Sequence, residues 1–110
     1  MRKAIVTVKN KRAGILTEDE NGFEFRYDKA YLTPDDAEPI SLTMPLREEP
    51  YRDHVLFPFF DGLIPEGWLL DVAEKNWKID VKDRMSILLL CCKDCIGAVG
   101  VEKLIDNDYE

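Results

Sequence analysis

The sequence predicts an α+β fold: a small, curved, antiparallel-rich sheet packed with two main helices. Three observations carry this expectation. β-branched or strictly alternating runs fill the first half of the chain. Turn residues separate those runs at hairpin spacing, with Asn-Gly at 21–22 as the strongest signal. Helix-period apolar patterns are confined to the second half, ahead of one closing strand, and such segregation favours α+β over alternating βαβ units.

Residues 3–8, KAIVTV, read as the first strand because they are compact and β-branched. KNKRAG then supplies turn residues before a second short run at 14–18. After the Asn-Gly pair, Phe23, Phe25 and Tyr27 share one face, while Glu24, Arg26 and Asp28 take the other. That alternation is the pattern of a half-buried antiparallel strand, so the first three strands form a meander. Residues 29–39 read as an acidic loop. Ile40, Leu42 and Met44 alternate between Pro39 and Pro45, and proline at both ends assigns them to a short strand near a sheet edge. Residues 47–54 read as an exposed, charged connection.

Pro65 suits the first turn of a helix, where its missing N–H is not needed. At about 100° per residue, Pro65, Leu69, Val72 and Ala73 share one face, and Asp71, Glu74 and Lys75 lie roughly opposite. Trp68 falls about 100° from the centre of the apolar face, on the polar side of its margin, so the core does not claim it. Trp77 lies nearer the apolar side and is assigned to packing. Asp80 is the expected N-cap of the next helix, with Val81, Met85, Leu88, Leu89 and Cys92 facing inward. Ile87, Leu90 and Cys91 make that helix apolar on its other sides too, which marks it as central or covered. Gly97 supplies a turn into a closing strand from about Ala98 to Lys103.

At 110 residues the chain is read as one domain, spanning 1–110 and large enough for a real core. Its net charge of −7 argues against direct contact with nucleic acid, which requires Lys and Arg to displace counterions. The same acidity suits steering toward a basic partner. No apolar run reaches the ~20 residues of a membrane helix, and Lys9 and Lys11 interrupt the start of the chain where a signal peptide would stay apolar. The expected location is the cytoplasm. Three cysteines, Cys91, Cys92 and Cys95, form one cluster, and the sole histidine, His54, lies far from them in sequence. Structural, reduced thiols are the expected reading, with no metal and no cofactor.

Catalytic signatures are missing from the sequence: it holds no GxSxG, P-loop, HExxH or GxGxxG pattern. Asp53 and His54 are adjacent, but neighbours in sequence rarely point together, so His54 reads as a surface residue. Asp61 and Glu66 could pair as carboxylates, although acids near a helix start more often satisfy free N–H groups.

Three ordered segments carry more information than any catalytic signature. They are PISLTMPL from Pro39 to Leu46, FPFFDGLIPEG from Phe57 to Gly67, and a stretch from Asp94 to Val99 within CKDCIGAVGV. In order and spacing they resemble the N-terminal subdomain of HipA-type serine/threonine kinases. That family shows a Pro-Leu-Ser-Leu-Ser-Leu-Pro-Leu-like segment, then Phe-x-Asn-Leu-Leu-Pro-Glu/Asp, then a helical stretch and Asp-x-x-Gly-Ala-Val/Leu. HipA-type proteins continue into a kinase core, yet no catalytic-loop or nucleotide-lysine motif follows the match here. The resemblance therefore implies a free-standing, HipS-like subdomain, the antitoxin of three-gene HipBST toxin–antitoxin systems. It implies a noncatalytic inhibitor of a HipA/HipT-type kinase, with a HipB-like helix-turn-helix repressor as a further partner that handles DNA.

On this reading the partner-binding residues are Asp61, Leu63, Ile64, Glu66 and Trp68, with Trp68 as anchor because its helical angle frees it from the core. Two alternatives stay open. One is an adaptor that stabilises the kinase or bridges it to the repressor without blocking activity. The other is a small thiol or metal protein using Cys91, Cys92 and Cys95.

Overall fold

The computed structural model describes residues 2–64, 67, 83–91 and 99–104. Within them five strands form one antiparallel sheet: β1 (Arg2–Val8), β2 (Lys11–Asp19), β3 (Gly22–Tyr27), β4 (Tyr51–Asp53) and β5 (Val99–Lys103), in the order β4-β3-β2-β1-β5. Three helical segments accompany them: α1 (Lys29–Leu32), α2 (Pro58–Asp61) and α3 (Arg84–Cys91). The α+β class, the N-terminal meander and the returning strand are all present. The helix expected from Pro65 lies outside the described residues.

The first hairpin turns on two residues, Lys9 (φ 50°) and Asn10 (φ 69°). Positive φ at both positions matches the right-handed twist of the flanking strands, so β2 begins at Lys11, earlier than the expected 14. A bulge follows: Val6 pairs with Gly14 but Thr7 pairs with Arg12, leaving Ala13 as the extra residue. Ala13 is buried, and its carbonyl accepts the Asp28 N–H at 2.8 Å. The second hairpin falls at the Asn-Gly site, but its turn differs from the expected one. Asn21 is not in the left-handed region; only Gly22 is (φ 132°), and Asp19 Oδ1 accepts the Asn21 N–H at 2.8 Å.

The core lies on one face of the sheet, along cross-strand rows. Val101, Val6, Gly14 and Tyr27 make one row; Ala4, Leu16 and Phe25 make the next. Gly14 has a steric reason to be glycine. A Cβ there would sit 2.2 Å from the Arg26 carbonyl oxygen and 3.0 Å from the Phe25 ring. Met85, Ile87 and Leu88 of α3 cover the rows together with Phe57, Phe60 and Ile64. Burial of both Ile87 and Leu88 agrees with a helix covered on more than one side.

Two sequence expectations are corrected. Residues 39–45 are not an edge strand: they form a tight turn with a single Ser41–Met44 bridge, Ile40 and Met44 inside and Leu42 outside. The edge strand is β4, in the stretch read as an exposed connection. Tyr51 pairs with Phe25, and Arg52 is salt-bridged to Glu24 at 2.6 Å. Within the turn the N–H groups of Ile40, Thr43 and Met44 go to the Tyr27 hydroxyl, Ser41 Oγ and the Ser41 carbonyl, and so are not offered to a ladder. Tyr51–Asp53 instead lie beside the Phe23–Phe25 stretch of β3 and pair with it.

The N-cap of α3 is Asp83, not Asp80, which lies outside the described residues. Asp83 Oδ1 accepts the Ser86 N–H at 3.3 Å, the position a cap serves. Arg2 knits this cap to the sheet. Its Nε donates to Glu18 Oε1 (2.6 Å) and its Nη2 to Asp83 Oδ1 (2.7 Å). The Arg2 guanidinium holds the Asp83 carboxyl below its usual range, and Asp83 in turn raises Arg2. The fold thus fixes the start of α3 against the start of β1.

Candidate interaction site

The segment from Phe57 to Ile64 is where the expected partner-binding residues begin. Phe57 precedes Pro58, whose missing N–H is harmless in the first turn of α2. One helical turn follows, closed by Gly62 N–H to the Pro58 carbonyl (2.9 Å) and Leu63 N–H to the Phe60 carbonyl (3.0 Å). Phe60 is fully buried and sits among aromatic rings, with centroids 5.7 Å from Phe25, 6.2 Å from Phe57 and 5.3 Å from Phe59. Phe59 packs at the edge of this group and is only partly buried.

Each expected site residue has a definite place, or none described. Asp61 is held by Arg84: Nε donates to Oδ1 at 2.7 Å and Nη2 to Oδ2 at 3.2 Å, a fork-to-fork pair joining α2 to α3. Its side chain keeps 39% exposure, so its outer lone pairs still meet solvent. Leu63 is half-buried against the core. Ile64, 6% exposed, belongs to the core and supports the turn from beneath. Glu66 and Trp68 lie outside the described residues, as do Trp77, Cys92, Cys95 and the Cys91 side chain. The structure therefore brings Asp61, Leu63 and Ile64 into one braced turn.

No second chemistry competes for this site among the described residues. Asp53 Oδ1 accepts backbone N–H groups of His54 (2.7 Å) and Val55 (3.4 Å), so the carboxylate serves a turn, not the imidazole. His54 Nδ1 lies 3.2 Å from the Asn21 carbonyl instead. The described residues contain no group of three or more His, Cys, Asp or Glu placed to hold a metal, and no described helix is long and apolar enough to cross a membrane.

Two features are not evident from the sequence. One is the clamp of Arg84 on Asp61, because a 23-residue separation gives no local sign of the pair. Leu42 was placed in a strand, yet it is 95% exposed at the tip of the 39–45 turn. The flanking prolines were the available signal.

Comparison with known proteins agrees with this geometry. Residues 4–102 match the HipA N-terminal domain family. An uncharacterized protein of Haemophilus influenzae is 36% identical over 90 residues, which cover 82% of this chain and 81% of that protein. A putative kinase of Sinorhizobium fredii, Y4mE, is 39% identical over 98 residues. The match covers 88% of this chain but 23% of the rhizobial protein, so this chain spans under a quarter of that relative's length. A solved N-terminal domain of HipA toxin superposes with a TM-score of 0.74 at 31% identity, covering 96% of this chain and 95% of that one. The meander, the returning strand and the Phe57–Ile64 turn are thus those of a known domain type, and the chain belongs to the HipA N-terminal domain family.

Proposed function

We propose that this domain is a noncatalytic antitoxin that works in the cytoplasm by binding and inhibiting a HipA/HipT-type serine/threonine kinase. The observation that carries the reading is the rigid turn at 57–64 within a domain of this family. Phe60 and Ile64 pin the turn to the core, and Arg84 clamps Asp61, so the chain leaves for Glu66 and Trp68 from a fixed origin. A preorganised origin lowers the ordering cost that binding must otherwise meet.

Two comparisons support the choice of partner. The rhizobial relative, named a putative kinase, carries the matching domain as 23% of its length. In the Haemophilus relative, the matched residues make up 81% of that protein. A domain that is a minor part of one protein, named a putative kinase, and most of another fits a surface made to dock on the kinase. Trp68 is the anchor, because a tryptophan combines large apolar area with one N–H donor. Asp61, Leu63 and Glu66 are further contact residues, and Ile64 supports the turn. A HipB-like helix-turn-helix protein, not this chain, contacts DNA, consistent with the net charge of −7.

The test is the autophosphorylation of the cognate HipA-type kinase with wild-type protein and with Trp68→Ala, both checked for equal folding. Loss of a hot spot of ~2 kcal/mol weakens inhibition roughly 30-fold. Inhibition retained within about twofold removes Trp68 as the anchor. Wild-type protein that co-purifies with the kinase but leaves phosphorylation intact refutes the antitoxin reading and establishes an adaptor in its place.

A further inference from the structure

A single exposed leucine is ordinary on a protein surface. Leu42 differs in how it is held. Its turn is restrained internally by Met44 N–H to the Ser41 carbonyl (3.1 Å), by Thr43 N–H to Ser41 Oγ (3.2 Å) and by a 2.9 Å contact between the Ser41 and Thr43 hydroxyls. Pro39 and Pro45 stiffen its two ends.

Three tyrosine hydroxyls then brace its legs from outside. Tyr31 donates to the Glu38 carbonyl at 2.6 Å, and Tyr51 donates to the Pro45 carbonyl at 2.5 Å. Tyr27 spans both legs: its hydroxyl accepts the Ile40 N–H at 3.0 Å and donates to the Met44 carbonyl at 2.5 Å. Ile40 and Met44 plug the legs into the core. A segment braced from three sides has already lost its conformational freedom, while one of its apolar side chains, Leu42, stands 95% in water. Holding an apolar group rigidly out in solvent contributes nothing to folding, but it is what a preorganised contact requires.

The charges flanking the turn indicate what it meets. Asp35 and Asp36 precede it and Glu48 and Glu49 follow it, all exposed, and none forms an ion pair among the described residues. A second copy of the chain, carrying the same −7, would be repelled.

We propose that the 39–45 turn is a second docking element, with Leu42 as a peg for an apolar socket rimmed by basic residues on the same kinase. The proposal rests on the kinase-binding reading and adds a contact separate from Trp68. The acidic flanks steer the approach and Leu42 supplies the residence time.

The experiment measures affinity for the cognate kinase with wild-type protein, Leu42→Ala, Trp68→Ala and Val55→Ala. Val55, 64% exposed at another place on the surface, is the control for loss of an exposed apolar side chain. The expected result is a loss of about tenfold or more for Leu42→Ala, with Val55→Ala unchanged and the melting temperature of Leu42→Ala equal to wild type. Asp36→Lys with Glu48→Lys slows association and flattens its dependence on salt. Affinity of Leu42→Ala within about twofold of wild type overturns the peg; if Trp68→Ala still loses binding, kinase docking itself stands. A wild-type protein that does not bind the kinase overturns both. An effect of Leu42→Ala on self-association of the free protein, with kinase binding intact, also overturns the proposal.

Discussion

Replacing Tyr27 by phenylalanine isolates one hydroxyl from everything else that residue does. The ring keeps its edge contact with Phe25 (4.9 Å between centroids) and its stacking on Tyr31 (6.1 Å). What disappears is the shared partner of two backbone groups, the Ile40 N–H and the Met44 carbonyl, on residues that are themselves buried. Leaving a buried polar group unpaired costs about 1–3 kcal/mol, so two such groups give about 2–6 kcal/mol. For a domain whose total stability is of order 5–15 kcal/mol, that is a large fraction. Urea unfolding, with a check that the m-value is unchanged, measures it directly, and the thermal midpoint should fall by roughly 10–30 °C. A loss under about 0.5 kcal/mol refutes the reasoning, since the hydroxyl would then be no brace. The alkaline limb gives an independent arm. Burial pushes the Tyr27 phenol up to about 12, from 10.0. The folded state therefore holds the proton more tightly than the unfolded chain. This contribution is complete below pH 10 and is lost as pH rises from there toward about 12, so Tyr27→Phe should flatten the stability curve over that window.

Two further outcomes follow from the core and the α3 junction. Gly14→Ala should destabilise by about 2 kcal/mol or more, because the clash is with the backbone of a paired strand and not with a flexible side chain; equal stability in denaturant would refute it. Asp83 is held below its ordinary value of 3.8, chiefly by Arg2, so its contribution is present above that pH and fades as pH falls through the lower folded value. Asp83→Asn should thus lower stability at neutral pH and weaken its dependence on pH below about 4, as followed by thermal melts across an acid series.

Local signals made most of the sheet readable in advance. Phe23, Phe25 and Tyr27 alternate with charged residues at period two, and that period alone names the buried face of β3. The hairpin positions were also legible, since turns are short and depend on a few residue types. Their detailed conformations were not. Lys9 occupies the left-handed region although lysine has no preference for it, because the strands on either side demand the turn. The 39–45 turn and β4 were exchanged for a related reason. A three-residue edge strand is decided by its neighbour, here the pairing of Tyr51 with Phe25, and not by its own composition.

The candidate site divides along the same line. Pro58 and the phenylalanines before Gly62 mark a turn anchored in a core, and three ordered segments point to a HipA-type N-terminal domain without any coordinates. Alternation, turn chemistry and motif order act over a few residues each, so the linear chain records them. The clamp of Arg84 on Asp61 and the knot of Arg2 with Asp83 join residues 23 and 81 positions apart, and three tyrosines from separate elements converge on one loop. Contacts of that kind exist only after the sheet has set its register, because only then are the partners within hydrogen-bond reach. Leu42 shows the difference in one residue. Its alternation with Ile40 and Met44 is a property of the chain, but that it stands out in solvent on a braced turn is a consequence of the fold.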